Sequence, residues 1–309
     1  MKHFRPRLSR RAFWVLCALL VCLRLALTGF QQAYIWVGGA PLDDELMFRA
    51  ANHITAGQWL GAYDYLTLSK AMFFPVWLAL LHALHLPYLI SGAALWCGAA
   101  LLAAFAFSTL WRKKETAQGR VLTLGLFAAL AFLPSSWAAY TLRVYRDNIF
   151  PALCLYFFAG MAGMALRAVF TPEKPLWPWL AAAGAGLACG YLDREDAGLF
   201  LLPFAAAASV IVAVVLAGKR RWKALAAQVI PYVMLGVGVL TFCTLNYTHY
   251  GVFALSDFSE GSFAAAMGAM MRVDTDSTAP YLSVPKNLRS CAGAGAAGLL
   301  AGGGRPAAE

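Results

Sequence analysis

AFWVLCALLVCLRLALTGFQQAYIWVGGAPLDDE, residues 12–45, is the stretch whose reading decides the fold class. From Ala12 to Val37 it carries one charged side chain, Arg24, and about 20 apolar residues suffice for a helix to cross the hydrocarbon core of a bilayer. A signal-peptide core is only about 7–15 residues long, so this run is expected to be an uncleaved anchor behind a basic N-terminus, residues 1–11. Gly38-Gly39-Ala40-Pro41 then breaks the helix, and Asp43-Asp44-Glu45 follow at once. Ionised carboxylates are costly to desolvate and repel one another at contact, so three in a row are either solvated or held for chemistry.

The rest of the chain agrees with a membrane setting. Of 309 residues 61% are hydrophobic and 13% charged, with a mean hydropathy of +0.63, where soluble domains carry about 25% charged residues. A net charge of +10 would point to nucleic acid in a soluble protein. Here the bases cluster between apolar runs, as in Lys219-Arg220-Arg221-Trp222-Lys223, and read as topology signals, so no nucleic-acid partner is expected. Seven cysteines show neither a CxxC nor a Cys/His pattern. Arg24 is expected to face the bundle interior or a water-filled cavity, in a buried structural pairing rather than a ligand role, because an ionised side chain in lipid is expensive.

Apolar runs predict an all-α membrane fold of about seven spans, near 12–37, 88–110, 121–139, 149–166, 178–192, 197–217 and 225–245. The run 72–86 is about 15 residues long and reads as a re-entrant or interfacial helix within an outer loop, 38–87. With that choice the cytoplasmic segments hold 15 bases and two acids, and the opposite face holds 13 acids and nine bases. The positive-inside rule therefore predicts a plasma-membrane protein with a cytoplasmic N-terminus and its polar chemistry outside.

Four outer segments carry that chemistry. In the first, Pro41 and the acids suit a helix start, with Leu46, Ala50, Ala51 and Ile54 at helical spacing; capping explains one acid but does not need three. Lys70 stands alone before the 72–86 run, placed to meet a lipid phosphate or to snorkel. In the second and third, Arg143-Val144-Tyr145-Arg146-Asp147-Asn148 and Asp193-Arg194-Glu195-Asp196, mixed charge is out of proportion to length. Arg143 and Arg146 suit an anionic headgroup or diphosphate, and ion pairing among these loops is the alternative. The fourth, 246–290, opens on the glycosylation sequon Asn246-Tyr247-Thr248 and reads as a solvated outer segment. No P-loop, GxSxG, HExxH or dinucleotide fingerprint is present.

An anchor helix, an acid pair just outside it, and Thr67-Leu68-Ser69-Lys70 leading into Phe73-Phe74-Pro75 together resemble the GT-C superfamily of polytopic glycosyltransferases. The likeness is closest to the protein O-mannosyltransferase and aminoarabinose-transferase group, with a specific core over residues 40–90. The resemblance implies a GT-C fold and a polyprenyl-phosphate-linked sugar donor drawn from the membrane lipid. It assigns the role of catalytic base or acceptor-orienting group to Asp43 or Asp44. Donor-phosphate binding falls to Lys70, Arg143 and Arg146, with Glu195 and Asp196 beside them as substrate-binding candidates. Some members of the superfamily use a divalent metal, and these residues do not decide the matter here.

From Cys291 to Glu309 the chain turns to low-complexity Ala/Gly sequence with little capacity to pack, which predicts a truncated or frameshifted reading and an enzyme left inactive by it. Two other classes compete: a transporter or lipid-handling protein with Arg24 and the outer charges along its path, and a non-catalytic membrane subunit. No repeat of half-chain period supports the transporter.

Overall fold

A computed structural model describes residues 8–36, 38–39, 41–64, 66–111, 116–171, 173–257 and 261–272. The chain divides into two units, Met1–Leu255 and Ser256–Glu309. The first is a bundle of eleven α-helices among the described residues: α1 (Arg10–Gly29), α2 (Pro41–Thr55), α3 (Phe73–Ala83), α4 (Tyr88–Phe107), α5 (Thr116–Ala131), α6 (Ala139–Leu142), α7 (Phe150–Phe170), α8 (Trp177–Asp193), α9 (Ala197–Gly218), α10 (Trp222–Ala227) and α11 (Ile230–Tyr250). The second unit contributes one described helix, α12 (Gly261–Met271); the Ala/Gly-rich tail and the acids Glu260, Asp274 and Asp276 lie outside the described residues. The structure is 76% helical, with no strands among the described residues.

Among the described residues five helical segments are long and apolar enough to cross a membrane: Arg10–Gly29, Tyr88–Trp111, Phe150–Phe170, Ala197–Gly218 and Trp222–Tyr250, the pattern of a multi-pass membrane protein. The expected span 178–192 falls on α8, which covers it with 17 residues, and 121–139 falls on α5, which has 16 and ends earlier, at Ala131. Pro134, three residues past α5, accounts for its early end: the residue before a proline is pushed out of the helical region and the ring cannot continue a ladder. The 72–86 run becomes α3, whose 11 residues reach only about 16 Å and cannot span.

The expected first span also ends early. α1 stops at Gly29 because the chain beyond it finds other partners. Tyr34 donates its N–H to the Leu142 carbonyl (3.1 Å) and accepts from the Val144 N–H (2.9 Å), an isolated parallel bridge that lays 30–36 along the segment after α6.

α8 lies in the interior of the bundle. Leu180, Ala183 and Leu187 are fully buried in the largest core cluster, where α8 packs against α7 and α11. Two glycines permit this: a Cβ on Gly186 would stand 2.4 Å from the Phe157 nitrogen, and one on Gly160 2.5 Å from the Ala183 nitrogen. By contrast, α9 exposes Leu199, Val210 and Val214, and α11 exposes Val233, Val237 and Leu240, side chains that lipid tolerates and water does not.

Gly186→Val should therefore force α7 and α8 apart, with a loss of about 1–3 kcal/mol or more from overpacking. A lowered melting temperature in detergent, read by size-exclusion fluorescence, is the expected result.

Candidate functional site

The residues singled out in the sequence converge on one end of the bundle, where α2 begins, α3 begins, α8 ends and the segment after α6 crosses between them. α2 starts at Pro41, so Asp43 and Asp44 occupy its first turn, where the helix dipole favours carboxylates. Adjacent residues of a helix point about 100° apart. That rotation gives the two acids opposite fates.

Asp44 turns inward and is 1% exposed. Arg143 grips it through Nε (3.0 Å to Oδ1) and through a shorter bond from Nη2, while the Trp36 backbone N–H donates to Oδ2 (2.6 Å). Arg143 is itself buried, its guanidinium 4.2 Å from the centre of the Tyr145 ring, and the Tyr88 hydroxyl donates to its carbonyl (2.8 Å).

Asp43 turns outward. Its side chain is 35% exposed, 3.5 Å from the Lys70 ammonium, and it accepts from the Tyr145 hydroxyl (3.3 Å). That hydroxyl accepts in turn from Arg146 Nη2 (2.8 Å). Burial pushes the Tyr145 phenol above its ordinary range, and nearby Asp43 adds to the shift, so the ring stays a donor. Glu45 is exposed on the helix surface.

Glu195 receives Arg146 through both oxygens (3.0 and 2.8 Å) and the Ala71 N–H (2.6 Å), which ties the loop after α8 to the residue following Lys70. Burial works against its ionisation, but Arg146 and the Ala71 N–H outweigh it and hold the carboxyl below the usual range. Asp196 pairs with Arg194 (3.0 Å), which reaches back to Asp147 (2.9 Å). Of the predicted donor-binding cations, Arg143 and Arg146 are thus both engaged in internal pairs, and Lys70 is the accessible one.

Other members of the site carry weaker sequence signals. Asp193 is fully buried with neither carboxylate oxygen partnered, beside the Arg146 Nε that also lacks a partner. Arg49 pairs with Asp64 (2.8 Å), and Asp64 also accepts from the Leu66 and Thr67 N–H groups, which closes the turn leading to Lys70. In that turn Leu68 is fully buried with φ 61°, a strained conformation for a branched side chain. Asn246 does not serve as an exposed sequon: it is 1% exposed, accepts from the Trp59 indole N–H (2.9 Å) and donates to the Ala254 carbonyl (2.7 Å). Its two amide atoms were legible only as a motif, not as a clamp between α11 and the loop.

No protein-family model, curated protein or solved structure matches the chain. Among the described residues no three His, Cys, Asp or Glu side chains are grouped so as to hold a metal ion: Asp43, Asp44 and Glu195 are each turned toward a cation, the Asp193 carboxylate is buried without a partner and Glu45 is exposed. The donor set does not fit a divalent-metal centre.

Two measurements follow from these pairs. Asp44→Asn leaves Arg143 buried without its counter-charge and should lower stability by about 3–5 kcal/mol, whereas Asp43→Asn breaks a half-exposed pair worth about 0–1 kcal/mol; chemical unfolding in detergent separates the two. Burial tends to raise the Asp64 carboxyl, but the Leu66 N–H, Thr67 and Arg49 outweigh it and hold it at about 2. A carboxyl held low in the folded state supports the turn above the ordinary aspartate value of about 4, and that support is lost as pH falls through 2. Hydrogen-exchange protection across residues 61–69, relative to the intrinsic rate at each pH, should fall as pH drops over that interval and stay constant above it.

Proposed function

We propose that this chain is a membrane glycosyltransferase of GT-C type, moving a sugar from a polyprenyl-phosphate-linked donor to a hydroxyl acceptor on the extracytoplasmic side, with Asp43 as the base. The observation that carries this reading is the division of labour between neighbours: Asp44 is buried under Arg143, and Asp43 faces outward beside Lys70 and Tyr145. A general base must be reachable, hydrogen-bonded and ionised, and Asp43 is the acid of the three with both access and oriented partners.

In the proposed reaction the acceptor hydroxyl gives its proton to the Asp43 carboxylate as its oxygen forms a bond to the sugar's anomeric carbon. The bond from that carbon to the phosphate oxygen breaks, and the electron pair leaves with the lipid phosphate. Lys70 supplies the positive charge for that departing phosphate. Before substrate arrives Lys70 leans on Asp43 at 3.5 Å, so a donor phosphate that draws Lys70 away also frees the carboxylate to accept a proton. Arg143 and Arg146 act in this reading by holding Asp44 and Tyr145 in place, and Glu195 by fixing Arg146 and the backbone next to Lys70. The outward placement follows from the charge asymmetry of the sequence, 15 bases against two acids on the opposite segments.

In proteoliposomes supplied with a decaprenyl-phosphate sugar and a hydroxyl acceptor, Asp43→Asn should lower turnover by about 10²–10⁴ while leaving the fold intact. Lys70→Ala should weaken donor binding and turnover together. Transfer by Asp43→Asn at the parent rate would sink the assignment.

A further inference from the structure

One buried charge takes no part in that site. Arg24, near the outer third of α1, is 2% exposed, and among the described residues no carboxylate lies within ion-pair distance of it. Its guanidinium donates to the Thr28 hydroxyl (2.6 Å) and to the Ser136 carbonyl (2.8 Å) and lies 3.5 Å from the centre of the Trp137 ring. Nε has no partner. These contacts satisfy part of the hydrogen-bonding capacity, and the Trp137 face offsets part of the charge without neutralising it. A cation so placed costs several kcal/mol unless an anion compensates it.

Arg24 also lines a cavity of about 40 Å³ between α1, α4 and the segment 135–151. None of the lining residues is acidic. At about 10–15 Å³ per water-sized occupant the cavity holds about three, the size of a phosphate group's free oxygens. Gln31, Ser135 and Tyr140 add polar groups to the lining, and the guanidinium fork matches phosphate geometry. Next to these residues along the chain, Leu27, Phe30 and Leu133 are exposed, an apolar surround suited to acyl chains.

We propose that the Arg24 cavity binds a phosphate group, separate from the Asp43–Lys70 site, with the lipid-borne form favoured by the apolar surround. The phosphate supplies the counter-charge that the chain does not. Occupancy would strengthen the tie that the Arg24–Ser136 bond already makes between α1 and the 135–151 segment, because Thr141 and Asn148 of that segment also line the cavity.

The test is binding by the full chain in detergent, without donor or acceptor, so that its failure leaves the transfer reading untouched. Three probes are compared: dioctanoyl phosphatidic acid, dioctanoylglycerol and inorganic phosphate. Saturable binding of the phosphatidic acid, absent for dioctanoylglycerol and reduced at least about tenfold by Arg24→Gln, supports the site. A second variant, Gln31→Glu, leaves Arg24 in place but brings a carboxylate to the cavity, and should reduce binding similarly; it decides the matter if Arg24→Gln fails to fold. Tighter binding of phosphatidic acid than of inorganic phosphate assigns a lipid source, and equal binding assigns free phosphate. Undiminished binding by the folded variants, equal binding of dioctanoylglycerol, or no binding of either phosphate overturns the proposal.

Discussion

The ion pair between Asp44 and Arg143 is the constraint on which this end of the bundle depends. It joins the first turn of α2 to the segment after α6, two places 99 residues apart in the chain. Around it the Trp36 N–H closes on the same carboxylate, the 30–36 stretch is held beside Leu142 and Val144, and the Tyr145 ring is set against the guanidinium. Buried pairs contribute little net stability when intact, because desolvation offsets attraction, yet removing either partner strands a charge. Such a pair specifies position more than it adds stability. Here what it positions is the neighbouring acid, Asp43.

A second layer of pairs surrounds the first. Arg146 is shared between Glu195, the Asp193 carbonyl and the Tyr145 hydroxyl, and Arg194 between Asp147 and Asp196. These contacts hold the ends of α7, α8 and α9 to the loop before α3. Lys70 and Asp43 are the most widely spaced of these pairs, 3.5 Å apart, and Lys70 is about a third exposed where Arg143 and Arg146 are buried. The contrast is between a rigid frame of arginine pairs and one loosely paired lysine that a ligand can reach at little energetic cost.

Much of this was legible in the sequence, and the reasons differ by feature. Long apolar runs with basic clusters between them report the spanning helices directly, because lipid demands both length and composition. The acids at 43–45, Lys70, and the charged turns at 143–147 and 193–196 stood out as expensive for their setting, and they do meet. Their pairing did not follow from the sequence: which of two adjacent acids turns inward depends on the helical phase at Pro41, and which acid an arginine meets depends on packing across a hundred residues. The end of α1 was also missed, since 30–36 is apolar enough to continue a helix, and only its bridge to Leu142 and Val144 draws it out. The end of α5 was placed too late because hydropathy does not register that Pro134 stops the helix.

Asn246 carries a consequence for biogenesis. Its amide nitrogen, the atom an oligosaccharide would be joined to, already donates to the Ala254 carbonyl inside the packed structure. Folding and glycosylation therefore compete for one atom. In a host whose secretory machinery reads the sequon, a glycan at this position would mark chains modified before α11 closed on the Trp59 loop, and such chains could no longer form the clamp.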